Sequence, residues 1–233
     1  MRPDMARDPL RAAFADPAHV ARYAEGPRRF VPGVESLYRM TGVLLAERAP
    51  RDAHVLVLGA GGGLELTALA QAHPDWTFTG VDPSAAMLQL AERTLGPLMS
   101  RVTLIEGLIE DAPEGPFDAA VCLLTLHFLG RDERISTIRE VHRRLRTDAP
   151  FVAAHSSFPQ GEDERSQWVS RYIAFAVASG SDPEMTAKAR ASIDANLKLF
   201  SPEDDAAMLR AGWFRDVTQF YAAFTWRGWV AYA

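Results

Sequence analysis

Short apolar runs alternate with amphipathic stretches through the middle of the chain. HVLVLG (54–59) reads as a buried strand, and LELTALAQAHP (64–74) as a helix ended by Pro74. WTFTGVD (76–82) is a strand, and SAAMLQLAERTLG (84–96) a helix with Ser84 as N-cap and Gly96 as its stop. RVTLIEG (101–107) and FDAAVCLLTL (117–126) are strands, the second apolar on both faces; RDERISTIREVHRRLR (131–146) is an amphipathic helix, and PFVAAHS (150–156) a further strand. Strands alternating with helices make βαβ units, so the pattern predicts a parallel sheet covered by helices on both sides.

The flanks behave differently. Pro9, Pro17, Pro27 and Pro32 break short helical patterns before GVESLYRMTGVLLAERA (33–49), where Val34, Leu37, Met40, Val43 and Leu44 recur at helical spacing up to Pro50. After residue 158 the alternation stops. GEDERSQWVSRYIAFAVASG (161–180) and PEMTAKARASIDANLKLF (183–200) read as helices, and SPEDDAAMLRAG (201–212) as a third, with Ser201 as N-cap, Pro202 in its first turn and Gly212 as stop. The aromatic, β-branched end, WFRDVTQFYAAFTWRGWVAYA (213–233), predicts an antiparallel pair of strands closing the sheet. This gives a helical cap over 1–50, a core over 51–157 and 212–233, and a helical insertion or lid over 158–211.

With 233 residues, 48% of them hydrophobic, the chain has enough apolar material for a sizeable core. A net charge of -5 argues against non-specific coating of nucleic acid, although Arg139, Arg143, Arg144 and Arg146 cluster on one helix as either a phosphate-facing stripe or a solvated face. A single cysteine, Cys122, rules out an intrachain disulfide or a thiolate metal site, and no metal is expected. Neither a signal-like leader nor a bilayer-length apolar run is present, so the expectation is a cytoplasmic protein with no membrane partner.

The chemistry concentrates at the end of the first strand. Gly59, Gly61 and Gly63, with Ala60 and Gly62 between them, form a loop that lets a ligand approach the backbone and leads to a helix N-terminus. The dinucleotide pattern GxGxxG would need glycine where Leu64 stands, which suits a nucleoside without a pyrophosphate. About 20 residues on, the second strand ends in Asp82, placed to accept ribose hydroxyls.

VLVLGAGGG, GVDPSAAML, IEGLIED and FDAAVCLLTLHFL, in this order and spacing, resemble the class I S-adenosylmethionine (SAM)-dependent methyltransferases. RFVPGVESLYRMTGVLLAER, TLHFLGRDERISTIREVHRRL and the tail from EMTAKAR onward look like the carboxy-SAM synthases of wobble-uridine tRNA modification, which take SAM and prephenate. The resemblance implies an α/β fold with a Rossmann-like, seven-stranded sheet, mostly parallel with an antiparallel C-terminal hairpin. It implies SAM as cofactor, a small molecule or modified nucleoside as substrate, a link to a tRNA pathway and a homodimer. A non-catalytic protein on the same fold is the reading from another class.

By resemblance, Gly59, Ala60, Gly61, Gly63, Asp82, Pro83, Met87, Leu108, Ile109 and Leu123 line the cofactor site. His127, just past the fourth strand, is the candidate catalytic base, and Arg190 (or Lys188, one register away) and Arg29 are the candidate substrate-binding residues. Four positions depart from the pattern. Val57 stands where the family has an acid before the first glycine, and Leu108 where an acid flanks adenine; Leu123 replaces the synthase's Asn, and Val34 its Tyr. A buried ligand group left without a partner would weaken binding by about 1–3 kcal/mol.

Overall fold

A computed structural model describes residues 26–182, Thr186, Ile193 and 197–233. Lys188 and Arg190, most of the 183–200 stretch and the first 25 residues lie outside the described residues. Two helices lead in, α1 (Gly26–Phe30) and α2 (Val34–Ala46). The alternating core follows: β1 (His54–Leu58), α3 (Leu64–Ala72), β2 (Thr77–Asp82), α4 (Ala85–Leu95), β3 (Val102–Glu106), β4 (Ala119–Leu123), α5 (Arg131–Arg143) and β5 (Pro150–Ser156). Then come α6 (Glu162–Ala178), α7 (Pro202–Ala211), β6 (Arg215–Ala223) and β7 (Trp226–Tyr232).

The seven strands lie in the order β3-β2-β1-β4-β5-β7-β6. β1 to β5 pair parallel, and β7 enters antiparallel between β5 and β6. The chain works outward from β1 to β3, then returns to place β4 against the other side of β1. Strand order therefore reverses between β1 and β4, and the crevice above their carboxyl ends is where such sheets bind ligands. β4 and β5 are buried along their whole length because helices cover both faces of the sheet. One core packs Val55 and Val57 against Leu37, Leu66 and Leu69; the other packs Leu56 and Cys122 against Ile138 and Met208.

The punctuation residues act as their chemistry predicts. Ser84 Oγ accepts from the Met87 N–H and Ser201 Oγ from the Asp204 N–H, capping α4 and α7. Gly96, with φ 52°, ends α4.

Three details differ from the sequence expectation. Helix α2 buries Val34, Leu37, Tyr38, Thr41 and Leu45, while Val43 is 65% exposed, because a 3.6-residue period turns it away from the stripe that Leu37 and Leu45 define. Strand β4 stops at Leu123 instead of Leu126, where Leu124 takes a left-handed φ of 58°. Helix α7, expected within the insertion, packs Met208 and Leu209 into the core beside Phe151 and Phe214.

Candidate functional site: a glycine loop pinned to a buried acid

The loop after β1 turns on Gly59, Gly61 and Gly63, all left-handed, with φ of 75°, 48° and 79°. At Gly59 a second constraint applies. A Cβ there would lie 2.0 Å from Thr125 Oγ1, so the loops after β1 and β4 touch across the crevice with no room for a side chain. At Gly63 a Cβ would lie 3.0 Å from the Ala91 Cα, so that glycine sets the approach of α3 to α4.

Asp82, at the end of β2, fixes the loop. Its Oδ2 accepts the Gly61 N–H at 2.9 Å and its Oδ1 accepts the Ser84 N–H at 2.9 Å. A carboxylate has about four acceptor directions, so each oxygen keeps capacity for a ligand hydroxyl. Burial pushes the Asp82 carboxyl above its ordinary range, against the opposing pull of the Ser84 and Gly61 amides. Ala60, within the loop, and Met87, in α4, are buried, and Pro83 is half-buried.

The sequence reading passed over Glu65. This residue opens α3 two positions after Gly63 and is only 7% exposed. Its carboxyl is pushed up to about 8, by burial first and by the neighbouring Asp82 charge next, while its own backbone N–H opposes the shift. Its charge also acts on Cys122 of β4, whose buried thiol is pushed up to about 12 and is inert. An acid in a first helical turn ordinarily reads as a favourable dipole contact, so its burial leaves no mark in the sequence pattern.

On the far side of the loop, Leu108 is half-buried and Ile109 and Leu123 are buried. Asp111, close to the position where the family has an acid, accepts the Leu108 N–H at 2.9 Å, so this carboxylate braces its own turn. Val57 is fully buried in the core and contributes no polar group.

His127 is buried beyond β4. Its Nδ1 accepts the Ser156 N–H at 3.3 Å, and its carbonyl accepts the Lys198 N–H at 2.9 Å. Burial, then the charges of His155 and Arg134, hold it well below the usual imidazole range, so the ring is neutral. With Nδ1 accepting, the neutral ring carries its proton on Nε2, which is then a donor.

Behind His127, Arg134 is ion-paired with Asp205, and His155 Nε2 lies 3.2 Å from the same Asp205 oxygen, all three side chains being buried. Burial alone would raise the Asp205 carboxyl, but His155 and Arg134 hold it below its ordinary range. Arg134 also donates to the carbonyls of Leu129 and Lys198, so the cluster ties α5, α7 and β5 to the chain returning from the insertion.

Arg29 lies in α1, half-buried. The segment after it is held by the C-terminal hairpin: Trp226 Nε1 donates to the Phe30 carbonyl at 2.9 Å and the Tyr221 hydroxyl donates to that of Pro32. The arginine stripe of α5 is occupied. Arg143 pairs with Glu114 and Glu140, and Arg144 is buried against Glu140. Arg146 pairs with Asp118, and Arg139 donates to the Ala211 carbonyl. Arg143, Arg144 and Arg146 are thus ion-paired within the chain, which favours the reading of a solvated, internally compensated face. Among the described residues no helix is long and apolar enough to cross a membrane.

A seven-stranded sheet of this order, with a glycine loop pinned to an acid at the switch point, defines the fold of the class I SAM-dependent methyltransferases. Residues 55–148 match the family model described as a methyltransferase domain. Two relatives are both carboxy-S-adenosyl-L-methionine synthases. The protein from Chromohalobacter salexigens is 35% identical over 175 residues, covering 72% of this chain and 64% of the relative. That from Campylobacter curvus is 21% identical, covering 100% of this chain and 98% of the relative. Human N-acetylserotonin methyltransferase in complex with SAM superposes with a TM-score of 0.64 at 12% identity, over 97% of this chain and 59% of that one.

Proposed function

We propose that this chain is a SAM-dependent methyltransferase acting on a small molecule or modified nucleoside. The observation that carries the reading is the Asp82 carboxylate, which pins the Gly61 amide at the switch point and keeps acceptor capacity on both oxygens. The methyltransferase domain over 55–148 and the likeness to a methyltransferase solved with SAM support the choice of ligand.

When bound, SAM supplies a methyl group already activated on a sulfonium. The chain's own residues hold and shield. Gly59, Gly61 and Gly63 let the backbone approach the ligand, and Asp82 accepts the ribose hydroxyls. Leu108 and Ile109 flank the adenine by apolar contact, and Leu123 and Met87 exclude water from the crevice. His127 is a positioning residue that holds the end of β5 to the return of the insertion, so the acceptor's proton leaves by another route. Arg29 and Arg190 are assigned to the acceptor, as the family resemblance implies. Catalysis is mostly the in-line positioning of acceptor, methyl and sulfur.

A second reading is carboxy-SAM synthase activity linked to tRNA modification, favoured by the names of the relatives that align along the full chain. One experiment addresses both. Small molecules released from the purified protein by denaturation are identified by mass spectrometry, and the protein is then incubated with SAM, with and without prephenate. Recovery of SAM or its demethylated product supports the methyltransferase. Carboxy-SAM made only with prephenate replaces that reading with the synthase. An empty protein that does not bind millimolar SAM overturns both and favours a non-catalytic role.

A further inference from the structure

The four departures from the family pattern remove polar groups from the site, yet the site contains an acid that the pattern does not account for. Glu65 stands in the first turn of α3, two residues after the last glycine of the loop, and it interacts electrostatically with Asp82 at the end of β2 and with Cys122 of β4. It therefore stands beside the glycine loop at the point where strand order reverses. More than nine-tenths of the residue is buried. Among the described residues no side chain donates to its carboxylate and no cation pairs with it; its own backbone N–H is its one hydrogen-bond partner. Its charged and titratable neighbours are an acid and a thiol, neither of which can neutralise it. A buried carboxyl without a counter-charge lowers stability unless something cationic completes the site.

We propose that Glu65 receives the cationic end of the bound ligand, taking over the role that Val57 cannot fill, and that it gives up a proton as the ligand enters. The inference rests on the SAM reading, because SAM carries both an ammonium and a sulfonium. The step balances: the protonated carboxyl of the ligand-free protein loses H⁺ to solvent, and the ligand cation takes its place beside the carboxylate.

With the carboxyl at about 8, roughly nine-tenths of the molecules carry this proton at pH 7. Binding of SAM should then release about 0.9 proton per site, and its affinity should rise nearly tenfold per pH unit below pH 8. Calorimetric titration of SAM at pH 7, in two buffers of different ionisation enthalpy, measures the release on the unaltered protein. Glu65→Gln, which mimics the protonated form and so retains the fold, should release no proton and lose the pH dependence of affinity. Release with both SAM and its demethylated product places Glu65 at the ammonium; release with SAM alone places it at the sulfonium. Tight SAM binding without proton release, with equal affinity in Glu65→Gln, overturns this inference and leaves the SAM reading standing. Failure of the unaltered protein to bind SAM overturns both.

Discussion

Replacing Glu65 by Gln should make the ligand-free protein more stable. In the unfolded chain this carboxyl ionises near 4.5; in the folded chain it does so near 8. Between those values the folded state binds a proton that the unfolded state has lost, so stability falls as pH rises through the window. At pH 7 about two and a half pH units of that window have been crossed. At 1.36 kcal/mol per unit the native state is disfavoured by about 3 kcal/mol relative to a neutral residue of the same shape. Raising the pH from 7 to 8 should cost about 1 kcal/mol more, after which the loss levels off. The partly and fully buried histidines do not mask this. His54, His73, His127 and His142 are all lowered, chiefly by burial, so their contribution grows as pH rises toward 6.5 and is nearly complete by pH 7. Cys122 begins to act only near pH 9. Urea unfolding at pH 7 and pH 8 should show Glu65→Gln ahead by about 3 and about 4 kcal/mol, with unchanged m-values. A variant within 1 kcal/mol of the parent at both pH values would refute the claim that this carboxyl is buried without a partner.

Asp82→Ala deprives two backbone N–H groups of a charged acceptor and should lower stability by about 2–4 kcal/mol in urea unfolding, and SAM affinity by at least tenfold. Gly59→Ala forces a Cβ onto Thr125 at a left-handed φ, so calorimetric titration should show SAM binding severely weakened, even where circular dichroism reports a folded protein. Asp205→Ala leaves Arg134 buried without its counter-charge and should lower stability by about 3–5 kcal/mol, seen as a lower urea midpoint. Cys122 should resist thiol reagents at pH 8 until denaturant is added, in a time-resolved colorimetric titration.

The sheet was legible because its signals are local and agree with one another. Each of the first five strands is a short apolar run bounded by a glycine, a proline or a helix cap, and Ser84, Gly96 and Ser201 punctuate the helices where their hydrogen-bonding chemistry requires. The glycine loop and Asp82 were legible for the same reason: their spacing places them together at the carboxyl edge of adjacent strands. What escaped was side-chain direction. Val43 follows the apolar spacing of α2 and still faces solvent, because the neighbours that fix the buried face come from β-strands distant in sequence. The arginines of α5 look like a cationic stripe until Glu114, Asp118 and the Ala211 carbonyl, remote along the chain, occupy them.

Glu65 and His127 show why candidate chemistry resists sequence reading most. A histidine past the fourth strand suggests a base, and an acid in the first turn of a helix suggests a surface contact. Burial changes what each group can do. The Ser156 amide takes the lone pair on His127 Nδ1, which leaves a donor in place of an acceptor. Packing around the first turn of α3 takes water from Glu65 and pushes its carboxyl up to about 8. The family pattern counts polar groups at fixed positions, and by that count Val57, Leu108 and Leu123 leave the site deficient. Counted by the charge the site can present, the deficit is smaller, because the acid absent from the end of β1 is matched by Glu65, six residues after Gly59 and near enough to Asp82 to feel its charge. On the proposed assignment of Glu65, that exchange of position is what lets a site short of its usual contacts hold a cationic ligand.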